Sequence, residues 1–339
     1  MKKLLMRWEW LLALMIVAVY LFFHFQMPDT YTLKNLLGQT RVYMVDVGFL
    51  ALGAMLILIL GDIDISVAST AGLAVTAMAV SYNAGLNFPV AMALALAVGA
   101  ACGFANGLLV TRFKELFAMI ITLSTMTLYR GISYIILKDQ SSGGFPAWFT
   151  KDLGYGTIGA TPVPIMLIFI LAAFPLFHVI LHHTTTGRRL FATGANIATA
   201  RYSGVRTDRI KLVTFMLNGL LAAICGIFLS ARTGSVKYTI GTGFEMQAIA
   251  IAVLGGASTA GGKGSVPGIF LSLILMTCLK NGLTLLFNDQ FILNLSVGVL
   301  LIGVVLVPNM MGLLRERAEV ARRRREAFGK SSGAEAPLK

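Results

Sequence analysis

Two carboxylates stand two residues apart in Gly61-Asp62-Ile63-Asp64-Ile65-Ser66-Val67-Ala68-Ser69, a polar break between two apolar runs. An acid at such a boundary can cap the helix that follows, because helix amino ends favour side-chain acceptors and negative charge. It can also bind a cation or take up a proton, since a carboxylate at membrane depth needs a task or a partner. The spacing favours capping and gating by Asp62, Asp64 and Ser66. A second stretch, Leu254-Gly255-Gly256-Ala257-Ser258-Thr259-Ala260-Gly261-Gly262-Lys263-Gly264-Ser265, invites a phosphate-loop reading and fails it. Aligned on Lys263, the pattern G-x-x-x-x-G-K-[ST] requires Gly at 257 and Ser or Thr at 264, and the chain has Ala257 and Gly264. ATP hydrolysis is therefore not expected here. Gly255, Gly256, Gly261 and Gly262 read instead as a tight non-helical turn near the inner membrane face.

The third stretch is a basic island, Thr184 to Lys211, with six cations against the single acid Asp208. Between Gly194 and Gly204 it holds an Ala-rich run long enough for about two helical turns. A small residue free to take positive φ stands at each end. The run is expected to form a short helix outside the membrane. Taken alone, the island also fits a solvated basic connector.

These stretches are positioned by apolar segments. With 57% hydrophobic residues, 13% charged residues and a mean hydropathy of +0.79, the 339-residue chain has too few charges to cover a soluble globule. An all-α polytopic membrane protein is expected. At about 20 residues per crossing, ten spans are read: 10–25, 42–60, 65–83, 89–110, 116–137, 163–181, 212–231, 246–254, 266–287 and 291–307. The eighth is too short to cross as a plain helix and is expected to be a half-helix or part of a broken span. The basic start and first apolar run lack a signal-peptide cleavage pattern, so the run is kept as a helix.

The net charge of +13 suits cytoplasmic loops better than nucleic acid. With the amino terminus inside, inner segments hold 20 Lys and Arg against 6 outside, which puts both termini in the cytoplasm. Residues 1–314 are read as the transmembrane domain, with the loop 184–211 cytoplasmic. Residues 315–339 are read as a basic cytoplasmic tail, suited to anionic head groups and disordered over its last nine residues.

On the fourth span Ala91, Ala95, Gly99, Gly103 and Gly107 recur every four residues, a packing face for close helix approach. Polar side chains inside spans are candidates for a translocation path: Thr122, Thr125, Thr127 and Arg130 on the fifth, Asn218 on the seventh, Asn281 on the ninth and Asn294 on the tenth. Cys102, Cys225 and Cys278 lack metal-ligand spacing and read as packing residues. No metal site is expected. No H-E-x-x-H occurs, and His182-His183 reads as cationic flanking at a helix end. An ion-coupled carrier is the alternative class, with Asp46, Asp62, Asp64 or Glu115 binding a coupling proton or sodium.

Four ordered motifs resemble one family, the permease subunits of ABC importers for ribose, xylose, rhamnose and related sugars, including autoinducer-2. Gly61 to Val67 is similar to its G-x-I-D-[LV]-S-V element, and Thr122 to Gly131 to its T-L-G-T-x-x-x-Y-R-G stretch. Gly187 to Val205 resembles its G-R-x-x-x-A-x-G-x-N-x-x-x-A-R-x-x-G-[VI] loop, and Leu254 to Ser265 its L-G-G-x-S-x-x-G-G-x-G-S turn. Ala68 and Ser124 stand where the family often has Gly, and Ala195 breaks a common Gly-Gly-Asn. The resemblance implies a permease of the bacterial inner membrane without a cofactor of its own. ATP and Mg would be held by a separate cytoplasmic ATPase, beside a second permease subunit and a periplasmic or lipid-anchored sugar-binding protein that supplies specificity. It also implies that the helix between Gly194 and Gly204 is the coupling helix that docks on the ATPase. Asn196, Arg201 and Tyr202 are then the contact candidates, and Arg188 and Arg189 anchors to lipid or ATPase.

Overall fold

A computed structural model describes residues 8–287 together with 295, 298, 299 and 302. Twelve α-helices build the described part: α1 Trp8–Gln26, α2 Leu33–Thr40, α3 Asp46–Ile59, α4 Val67–Asn83, α5 Phe88–Arg112, α6 Ala118–Leu137, α7 Met166–His183, α8 Thr185–Ala195, α9 Ile197–Tyr202, α10 Thr207–Thr233, α11 Phe244–Leu254 and α12 Val266–Phe287. A π-helical segment, Arg41–Val45, joins α2 to α3. The only described strands are β1 Ser142–Gly143 and β2 Ser235–Val236, which pair antiparallel between the loops after α6 and α10. Residues Met1–Gln290 form one compact unit and Phe291–Lys339 a second. The tenth expected span, Asn294 and the basic tail 315–339 lie outside the described residues, apart from the four isolated positions.

Seven of the described helical segments are long and apolar enough to cross a membrane: Leu33–Ile59, which runs through α2 and α3, and α1, α5, α6, α7, α10 and α12. Nine of the ten expected segments fall on described residues, and seven helical segments there have the length and hydropathy of a plain span. The helix α4 has 17 residues and carries Ser69, Thr70 and Thr76, and α11 has 11. Neither supplies the length and hydropathy of a plain span. The shortness expected of the eighth segment is seen in α11.

Every residue of α3 is buried, as an all-round apolar helix must be when other helices enclose it. Its neighbours include α10, α11 and α12. The small-residue stripe of α5 lies against α10: a Cβ on Gly103 would meet the Phe215 carbonyl oxygen, and one on Gly219 the Gly99 carbonyl oxygen. Only glycine allows two backbones this close, and the contact substitutes dispersion for the hydrophobic drive that lipid cannot provide. Large apolar side chains such as Leu14, Leu128, Ile135 and Val179 stay exposed on α1, α6 and α7. They suit a hydrocarbon surround.

The loop after α6 is organised by aromatic rings. Phe88 packs edge-on against Phe149 at 4.7 Å between centroids and against Trp148 at 5.6 Å.

Candidate functional site

Three of the motifs meet at the carboxyl end of α3. The α3 helix ends at Leu60, and Gly61 turns the chain with φ +78°, a conformation that disfavours any residue with a Cβ. The carbonyl of Ile59, open at the helix end, accepts a hydrogen bond from Gly262 N at 2.8 Å. Gly261 and Gly262 hold φ +84° and +71°. Gly194, inside α8, covers the same carbonyl: a Cβ there would overlap the Ile59 oxygen and sit 2.9 Å from Gly262 N. At the far end of the turn, a Cβ on Gly255 would meet Ile269 at 2.6 Å. Gly256 holds φ +93°. The amino end of α1 joins through Trp8, whose Nε1 donates to the Leu254 carbonyl at 2.6 Å, and Glu9, which accepts from Ser265 Oγ at 3.1 Å.

The strap between α3 and α4 is laced to three helices. Asp64 is buried; its Oδ1 accepts from Ser66 N at 2.9 Å and Ser66 Oγ at 2.7 Å, and its Oδ2 from Asn218 Nδ2 at 2.9 Å. Asn106 of α5 donates to Ser66 Oγ at 2.7 Å and accepts from Tyr129 Oη of α6 at 3.0 Å. Thr122 Oγ1 donates to the Ile63 carbonyl and accepts from Ile65 N, both at 3.2 Å. Asp62 instead pairs with Lys211 Nζ at 2.7 Å. Among the described residues, no cluster of three or more His, Cys, Asp or Glu could hold a metal ion.

Thr122→Val keeps the shape and removes both strap contacts. The mutant should lose about 1–3 kcal/mol, chiefly because Ile65 N is left buried without a partner. Thermal unfolding of the detergent-solubilised protein measures this, and an unchanged midpoint would deny the strap its anchor.

The basic island is mostly helical, which corrects the reading of a loop with one short helix. Thr184 Oγ1 caps α8 by accepting from Gly187 N. Asn196, extended at φ −160°, breaks the helix and caps α9 by accepting from Thr199 N at 3.0 Å. The short helix α9 thus falls inside the expected interval, and Gly204 closes it with φ +79°. Gly194 departs from expectation: it continues α8, and its lack of a side chain answers to the Ile59 carbonyl and not to backbone handedness. Arg201 points back, with Nε on Thr207 Oγ1 at 2.8 Å and Nη2 on Asp208 Oδ1 at 2.6 Å. Lys114 takes the other oxygen of Asp208 at 2.9 Å. Tyr202 is 94% exposed.

Comparison with known proteins matches residues 36–308 to the family described as the permease component of the branched-chain amino acid transport system. The autoinducer 2 import system permease protein LsrC of Photorhabdus luminescens is 37% identical over 257 residues, 76% of either chain. The ribose import permease protein RbsC of Escherichia coli K12 is 37% identical over 292 residues, 83% of this chain and 88% of its own. No solved structure matches. The chain belongs to this permease family. It is a multi-pass membrane component of a transport system and not an enzyme, and the family sets aside the ion-coupled carrier reading of Asp62 and Asp64.

Within this permease the polar candidates do not form one lining. Thr122 and Asn218 meet at the Asp64 strap, and Thr125 bonds the Thr122 carbonyl beside them. Thr127 is exposed on α6 and bonds the Leu123 carbonyl. Arg130 pins the loop after β2, donating from Nη1 to the Tyr238 and Ile240 carbonyls at 2.6 and 2.8 Å. The buried Nδ2 of Asn281 has no hydrogen-bond partner among the described residues.

Sequence reasoning missed Asn106 and Tyr129, although a polar residue between Gly103 and Gly107 of a span was a usable signal. It also missed the pair of the fully buried Asp46 with Arg232, Nη2 to Oδ2 2.6 Å and Nε to Oδ2 3.1 Å. Nearby, Lys280 Nζ lies 4.3 Å from the centre of the Tyr43 ring.

Proposed function

We propose that this permease is the transmembrane subunit of an ATP-driven importer in the bacterial inner membrane, and that it moves a ribose-like sugar or autoinducer 2 delivered by an extracytoplasmic binding protein. The substrate class follows the names of LsrC and RbsC. The Lys and Arg asymmetry supports about ten crossings with both termini cytoplasmic. A second permease subunit and two cytoplasmic ATPases complete the assembly.

The observation that carries the reading is the backbone contact of Gly194 with Ile59 and Gly262. The helix α9 hangs from α8 through the capped break at Asn196, and α8 is seated on the end of the buried helix α3. A push on α9 by a closing ATPase dimer therefore reaches the membrane core without passing through a flexible loop. Two packed arrangements of such a unit give alternating access. Arg201 and Asn196 hold α9 in shape, while Tyr202 and Ile197, which is 41% exposed, offer the free surface that meets the ATPase. The strap with Asp62, Asp64 and Ser66 and the turn with Gly255, Gly256, Gly261 and Gly262 act as the inner gate.

Ile197→Glu with Tyr202→Glu should lower ATP-driven uptake by the reconstituted importer about tenfold, the loss of about 1.4 kcal/mol of docking free energy. Its unfolding midpoint should change little, because Tyr202 is almost fully exposed and Ile197 is 41% exposed. Wild-type uptake in this variant would take α9 out of the ATPase interface.

A further inference from the structure

Six of the cations around α8, α9 and the start of α10 fall into two groups. Lys114, Arg201 and Lys211 each reach a carboxylate of Asp208 or Asp62. Arg189, Arg206 and Arg209 have no acidic partner among the described residues, and all three line one cleft of about 610 Å³ between α7, α8 and α10. No acidic residue lines it. Below the arginines the walls are apolar, with Phe177 and Ile180 from α7 and Val213 and Leu217 from α10.

Helical spacing explains the division. Arg209, Val213 and Leu217 recur every four residues and so share one face of α10, and Arg206 stands at the N-cap just before it. Charge occupies its first turn and hydrocarbon the turns that follow. From Arg209 to Leu217 that face rises about 12 Å, most of the ~15 Å hydrocarbon depth of one leaflet. The cleft is thus cationic at the membrane boundary and apolar for the depth of one leaflet.

We propose that this cleft holds one anionic phospholipid. Its phosphate lies among Arg189, Arg206 and Arg209, whose planar forks match phosphate oxygens, and an acyl chain runs along Phe177, Ile180, Val213 and Leu217. A zwitterionic head group fits less well, because its own cation would face three uncompensated charges. The lipid would brace α8 against α7 and α10. This site rests on residence in a membrane and not on the ATPase docking of α9.

Native mass spectrometry of the full chain in detergent, offered equal phosphatidylglycerol and phosphatidylcholine, tests it. The wild type should retain phosphatidylglycerol in about tenfold preference. Arg189→Gln with Arg206→Gln and Arg209→Gln should abolish the preference, and Val213→Trp should weaken retention by filling the cleft without changing charge. Arg322→Gln with Arg323→Gln and Arg324→Gln, which removes the same charge from the tail, should leave it intact. If the triple cleft variant does not purify as a single species, Arg209→Gln alone should lower the preference about threefold. Wild-type selectivity in the cleft variants, equal loss in the tail variant, or complete displacement of the lipid by millimolar inorganic phosphate would each overturn the proposal.

Discussion

Gly194→Val should leave little folded permease in the membrane and no measurable uptake, whereas Gly204→Ala should fold and transport. Both glycines flank the same short helix. At Gly204 the space beyond Cα is open and only the positive φ resists a side chain, which costs about 1–2 kcal/mol. At Gly194 the added carbon would overlap the Ile59 carbonyl and crowd Gly262 N, and both obstacles are backbone. No rotamer relieves the clash, so α8 must lift from α3 and break the Gly262 to Ile59 hydrogen bond. A loss of about 3 kcal/mol or more follows from overpacking without room to relax. Yield in the membrane fraction and the unfolding midpoint in detergent measure it. Equal behaviour of the two variants would mean that α8 is not seated on α3.

Asp46→Leu is expected to cost about 3–5 kcal/mol, because it leaves the Arg232 guanidinium without its carboxylate in a mostly buried setting. Adding Arg232→Met should recover most of that loss, since two apolar side chains of similar volume can replace a buried pair at little net cost. The double-mutant cycle in thermal unfolding reads the coupling. A double variant no more stable than Asp46→Leu alone would show that Asp46 acts through packing and not through Arg232.

Much of the helical layout was legible because long apolar runs have few alternatives. The segments 89–110 and 266–287 fall within α5 and α12, and 116–137 covers α6 with two residues to spare at its start. The stripe on α5 was legible as a packing face but not its partner, since nothing in the spacing of Gly99 and Gly103 names Phe215 or Gly219. The extent of helix in the basic island was hidden by composition: Thr184 to Arg189 looks polar and loop-like, yet Thr184 supplies a cap and Leu190 a buried anchor. Arg201 was read as an outward contact because an isolated arginine carries no sign of the threonine and aspartate six and seven residues later that hold it. The meeting of Gly61, Gly194 and Gly261 brings together two turns and a helix far apart in sequence, and no local pattern encodes it.

The Asp46 to Arg232 pair spans 186 residues of chain. At roughly 5–20 residues per second of synthesis, about 10–40 s separate the two side chains on the ribosome. During that interval the segment Leu33–Ile59 has been made with an acid in its middle and no cation from α10 to answer it. That segment, among the first to be translated, thus waits for α10 before its buried acid is answered.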